Sequence, residues 1–93
     1  MIQSFQDERA EKLTRGQRVV ELVNIELQAR TRLIRLDSAT SLDDLRALRG
    51  NRLEALSGER QGQHSIRIND QYRICFTWRE GHAENVEITK HYR

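Results

Sequence analysis

Residues 50–78 read GNRLEALSGERQGQHSIRINDQYRICFTW, and the apolar positions in the second half of this stretch alternate. Ile66 and Ile68 fall on one face of a first strand. Tyr72, Ile74, Phe76 and Trp78 fall on one face of a second, a period of two that belongs to β-structure. The register between the strands follows from chemistry, because a one-residue slip carries every side chain to the opposite face. A two-residue Asn69-Asp70 turn sets Ile66 opposite Arg73 and Ile68 opposite Gln71, mixing apolar and polar groups. A three-residue loop, Asn69-Asp70-Gln71, pairs Ile68 with Tyr72 and Ile66 with Ile74, with Asn or Asp supplying the left-handed position such loops use. The same register puts Arg67 across from Arg73, where facing like charges call for a counterion or a shared anion.

Working outward, the 93 residues suit one domain, 1–93, with a single core. The lone Cys75 leaves no intrachain disulfide, which fits a reducing compartment. The opening MIQSFQDERAEK carries charge by residue 7 and no apolar run of signal or membrane length, so a cytoplasmic protein is expected. Net charge is only +2, but the sixteen bases include just two lysines, Lys12 and Lys90. The planar guanidinium suits bidentate phosphate contact, although GC-rich coding gives the same bias. After Arg46 there are eight bases against six acids, so the basic excess lies in the strand half.

Residues 1–5, with Ile2 and Phe5, read as a first strand, and residues 6–14 as a short helix that Gly16 ends. Residues 17–37 read as the strongest helix, with two apolar stripes. Leu22, Ile25, Ala29, Leu33 and Leu36 make one; Val20, Val23, Leu27 and Ile34 make the other, further round. One sheet cannot cover both, so the second stripe needs the first helix or a partner chain. Glu21, Asn24, Gln28, Thr31, Arg32 and Arg35 form a face expected to be solvated. Ser41-Leu42-Asp43-Asp44 has a capping-box pattern and starts a helical turn or two. Strands then follow over residues 52–56, the two arms of the hairpin, and a last strand bearing Val86 and Ile88 after a Glu80-Gly81-His82 turn. The expectation is an α+β fold, with helices packed on one face of a small antiparallel sheet.

Alternation assigns Ser65, Arg67, Arg73, Cys75, Thr77, Arg79, Asn85, Glu87, Thr89 and His91 to the other, open face. There Glu87 either neutralises Arg67 or Arg73 or leaves them to bind a phosphodiester. RNA is cut when its 2′-OH attacks the adjacent phosphorus, which requires a proton acceptor, a proton donor and cations for the phosphorane. Arg73 and Arg67 suit the last role; His91 titrates near neutrality, and Tyr92 suits stacking or proton donation. His64, His82, His91 and Cys75 lack metal-ligand spacing, so neither metal nor cofactor is expected. Cys75, Tyr72 and Trp78 read as packing residues.

The run SGERQGQHSIRINDQYRICFTW, with AENVEITKHYR after it and MI-SF at the start, resembles the HigB toxins of the RelE/ParE superfamily, including its GraT-like branch, over essentially the whole chain. The resemblance implies a RelE-like fold: an N-terminal strand and two helices on one face of the sheet. It implies a type II toxin that enters the ribosomal A site and cleaves mRNA, is held inactive by a HigA-like helix-turn-helix antitoxin, and meets operator DNA only through that antitoxin, with no membrane partner. Arg73 matches the family arginine at the scissile phosphate, and Arg60 also matches. The tail departs: many relatives end in Asp-Tyr-His, where this chain has Lys90-His91-Tyr92-Arg93. The expected catalytic set is Arg73, His91 and Tyr92, with Arg46, Arg49, Arg52, Arg60, Arg67, Arg79, Lys90 and Arg93 contacting RNA or ribosome. The alternative is a non-enzymatic toxin or regulator on the same scaffold, as in the gyrase-binding ParE branch.

Overall fold

The computed structural model describes residues 1–90. Asp7 caps α1 (Glu8–Thr14) by accepting from the Arg9 backbone N–H. The helix ends as expected at Gly16, whose φ of 82° lets Gly16 N donate to Leu13 O and Gln17 N to Lys12 O. A 3-10 helix, Val20–Ile25, leads into α2 (Glu26–Ser38), and α3 (Leu42–Arg46) begins at the expected Ser41–Asp44 capping box. Strands β1 (Glu54–Ala55), β2 (Gln63–Arg67), β3 (Tyr72–Arg79) and β4 (His82–Lys90) form an antiparallel sheet in that order. No described helix is long and apolar enough to cross a membrane.

The hairpin has the expected register: Ile66 faces Ile74 and Arg67 faces Arg73. Ile68 N donates to Tyr72 O at 3.0 Å, closing the loop. No loop residue is left-handed. The turn is made instead by the Asn69 side chain, whose Oδ1 accepts from the backbone N–H of Gln71 and of Tyr72, both at 2.8 Å. Ile66, Ile74, Phe76, Val86 and Ile88 are buried with Leu13, Leu22, Leu33 and Leu36, so the helices cover the apolar face. Tyr72 and Trp78 pack at the edge of that core.

Several expectations are corrected. The single helix over residues 17–37 opens as a 3-10 segment, in which Val19, Leu22 and Ile25 recur every third residue and are all buried. A 3-10 helix aligns i and i+3, and the β-branched valines disfavour an α-helix there. The first helix does not cover the second stripe: Val20, Val23, Leu27 and Ile34 are 79%, 47%, 78% and 66% exposed. The two buried residues of α1, Ala10 and Leu13, both belong to the common core. Arg32 and Arg35 are half-buried, not freely solvated.

The strand expected over residues 52–56 shrinks to Glu54–Ala55, because a 3-10 turn, Arg49–Asn51, runs into Arg52 at φ 43°. The first strand is reduced to two parallel bridges, Ile2 to Ala83 and Phe5 to Val86, on the edge of β4. Between them β4 bulges at Asn85 (φ 54°), so Glu84, not Asn85, lies across from Thr77 on the polar face.

Two polar anchors tie helices to the sheet half. Asp7 Oδ2 accepts from Ile88 N at 3.1 Å while Arg9 Nη2 donates to Ile88 O at 2.8 Å, extending the β4 edge with a side-chain pair. The hydrogen bond to Asp7 raises the Arg9 pKa. Asn51, fully buried, donates to Leu45 O at 3.1 Å and accepts from Arg35 Nη1 at 3.2 Å. Asn51→Ala strips both partners and is expected to destabilise by about 1–3 kcal/mol in urea unfolding.

In the α3 cap, Thr40 backbone and side-chain hydrogen bonds lower the Asp44 pKa from 3.8. A depressed carboxylate contributes stability above its unfolded pKa and loses it as pH falls through its folded pKa. The thermal midpoint of Asp44→Asn should therefore be lower than wild type at neutral pH, with the gap closing below about pH 4.

Candidate phosphate site

The facing arginines form part of a small pocket on the polar side of the hairpin. Arg52, Glu54, Ser65, Arg67, Tyr72 and Arg73 line it, together with the loop residues Asn69 and Asp70. Its volume is about 70 Å³, far below the ~300–1,000 Å³ of pockets that enclose a drug-sized ligand. It suits one compact anionic group. Arg67 donates to Asp70 through Nη2, meeting half of the demand for a counterion. Arg73 Nε is buried and has no hydrogen-bond partner among the described residues. A buried donor without an acceptor costs roughly 1–3 kcal/mol, which an anion seated in the pocket would recover.

The floor beneath is not open as alternation suggested: Ser65 is 3% exposed and Cys75 fully buried, with Cys75 Sγ 3.6 Å from Thr89 Oγ1. Glu87 neutralises neither Arg67 nor Arg73. It lies across from Cys75 and accepts from Arg60 Nη1 at 2.6 Å, while the same nitrogen donates to Gln63 Oε1 at 2.9 Å. That hydrogen bond to Glu87 raises the Arg60 pKa. Arg60 is thus committed to a carboxylate, and Arg73 is not.

Residues 3–91 match the HigB-like toxin family, described as RelE-like toxins of type II toxin–antitoxin systems. The chain belongs to that family. Over 56 residues it is 46% identical to Toxin HigB-1 of Vibrio cholerae serotype O1, a stretch covering 60% of this chain and 59% of that protein. The chain thus matches less than two thirds of its relative's length. Helices beside a four-stranded antiparallel sheet agree with the α+β, RelE-like fold expected of HigB-like toxins.

Of the residues singled out from sequence, the fold gathers Arg52, Arg67 and Arg73 around one pocket. Lys90 stands opposite Tyr72, its Nζ 6.0 Å from the ring centroid. Arg49 is exposed on the turn that leads to Arg52, and Arg46 is held on α3 by Asp43. Arg79 is exposed at the far end of β3, across from His82. His91, Tyr92 and Arg93 lie outside the described residues.

Glu54 is the pocket residue that sequence reading passed over. It lies across from Ser65, and so shares the polar face. Its signal was the alternation of Arg52 and Glu54 with Leu53 and Ala55, and β1 is too short to make that signal legible.

Because Arg73 Nε holds no partner among the described residues, Arg73→Met should keep the stem packing and remove a buried unpaired donor. Its unfolding free energy is expected within about 1 kcal/mol of wild type, or slightly above it, by chemical denaturation.

Proposed function

We propose that this protein is the toxin of a type II toxin–antitoxin pair and that it cleaves mRNA on the ribosome by metal-independent transesterification. The observation that carries the reading is the buried Arg73 Nε, without a partner among the described residues, in a pocket lined by two further arginines and by the carboxylates of Glu54 and Asp70. Family membership supports the toxin role. In the proposed step the 2′-oxygen forms a bond to phosphorus and the bond to the 5′-oxygen breaks, leaving a cyclic phosphate and a 5′-hydroxyl. Glu54 accepts the 2′-OH proton, and Arg52, Arg67 and Arg73 take up the charge that grows on the phosphorane oxygens. His91 and Tyr92 follow Lys90 directly in the chain, and one of them returns a proton to the departing oxygen.

The partners in this reading are the ribosome with its mRNA and a HigA-like helix-turn-helix antitoxin, all in the cytoplasm. The exposed apolar side chains of Val20, Val23, Leu27 and Ile34 support a protein partner, since apolar residues left uncovered on one segment suit an interaction surface.

Arg73→Ala should cost on the order of 100-fold or more in mRNA cleavage on translating ribosomes, by analogy with loss of an oxyanion-hole donor. It should also relieve growth inhibition while the protein stays folded. His91→Ala should flatten the rate profile between about pH 5 and 8. Full activity in Arg73→Ala sinks the mechanism. A wild type that arrests growth yet leaves mRNA intact points to the non-enzymatic, ParE-like alternative.

A further inference from the structure

The arginines of this chain divide by whether a carboxylate holds them. On the helical side Arg9, Arg15, Arg18 and Arg30 each have one. Arg32, Arg35, Arg49, Arg52, Arg73 and Arg79 have none among the described residues, and of these Arg52 and Arg73 line the pocket. Arg35 has a structural task, the hydrogen bond to buried Asn51. Arg32 is different. Its Nε donates to Arg67 O at 3.2 Å, which fixes its stem against the hairpin, and its Nη2 reaches the backbone at Gly50, 3.7 Å from where a β-carbon would stand. Gly50 lies between Arg49 and Asn51, with Arg52 next in the chain, so the Arg32 guanidinium sits between the pocket arginine Arg67 and the turn bearing Arg49 and Arg52. Arg32 itself has no carboxylate partner among the described residues, and burial, then Arg35 and Arg67, lowers its pKa.

We propose that Arg32, with Arg49 on the adjoining turn, forms a second phosphate-binding site on the rim of the pocket, which holds the RNA backbone at a phosphate neighbouring the one at Arg73. The inference deepens the RNA-cleaving reading and rests on it. One edge of the Arg32 fork is used by Arg67 O, and the other faces the unneutralised turn, an arrangement a planar guanidinium permits and an ammonium does not. Neighbouring phosphates on a single strand lie within reach of adjacent arginines, and cations spaced along such a track add affinity without adding base preference.

The test is binding of a short fluorescein-labelled 2′-O-methyl RNA, which cannot be cleaved because its attacking hydroxyl is blocked, by fluorescence anisotropy between about 50 and 200 mM KCl. Arg32→Gln should reduce the slope of log affinity against log salt by about 0.7 and weaken binding roughly threefold. Arg32→Lys should recover part of both, and Arg15→Gln, on the far side and paired with Glu11, should match wild type. On ribosomes Arg32→Gln should raise KM with kcat nearly unchanged, whereas Arg73→Ala lowers kcat.

Slope and affinity equal to wild type in a folded Arg32→Gln would overturn the inference. So would displacement of the RNA by polyglutamate as readily as by unlabelled RNA, since that assigns the cluster to an acidic protein segment. Loss of cleavage in Arg73→Ala beside RNA binding indifferent to Arg32 removes this site alone; RNA binding that depends on Arg32 without any cleavage removes the nuclease reading alone.

Discussion

The pairing of Ile66 with Ile74 is the constraint from which the rest of this structure follows. Both side chains are fully buried beneath the helices, and burial of an isoleucine is worth about 1.5–3 kcal/mol. The register that buries them also sets Arg67 against Arg73, a like-charge pair that costs at most about 1 kcal/mol at an exposed position. The core therefore wins, and two arginines are held directly across from each other by forces that act on the other side of the sheet. Asn69 reinforces this arrangement by closing the three-residue loop with its side chain. Because a slip would invert both faces, the site cannot relax its repulsion by changing register. Asp70 relieves Arg67, while Arg73 Nε stays buried with no partner among the described residues.

How far the sequence could be read depends on whether the signal was local. The hairpin, the Gly16 helix end and the Ser41–Asp44 cap were legible because each is decided by residues a few positions apart. The 3-10 entry to α2 was written in the three-residue spacing of Val19, Leu22 and Ile25, but the four-residue spacing that follows dominates any window long enough to show periodicity. Asn51, the Asp7–Arg9 clamp on Ile88 and the bulge at Asn85 depend on partners far along the chain, and nothing beside them in the sequence announces those partners.

The candidate site divides in the same way. Arg67 and Arg73 were placed by the hairpin register, so their presence in one pocket was readable. Arg52 and Glu54 join them only because the chain turns sharply after Asn51 and β1 then lies along β2. The pairing of Arg60 with Glu87 spans 27 residues; alternation put that carboxylate on the face of Arg67 and Arg73 and left open whether it met either. Alternation says which face a side chain takes. It does not say which neighbour on that face it meets.

The scarcity of lysine now has a third explanation beside RNA contact and coding bias. Arg9 bonds Asp7 through one edge and Ile88 O through another; Arg30 donates from Nε to Leu13 O at 3.3 Å and from Nη2 to Gln17 O at 3.0 Å, tying α2 to the end of α1. Arg32 and Arg35 join α2 to the hairpin and to Asn51. Each uses the fixed fork to reach an acceptor on a different element, a geometry that a single flexible ammonium does not reproduce. Arginine-rich composition in this chain is therefore partly architectural, and composition could not have separated the staples from the arginines left without a carboxylate. What separates them is partnership: among the described guanidiniums without a carboxylate, Arg32, Arg49, Arg52 and Arg73 lie at or beside the junction of β1, the hairpin and the Arg49–Asn51 turn, where the register sets Arg67 against Arg73, while Arg35 is bonded to Asn51 and Arg79 stands apart at the far end of β3.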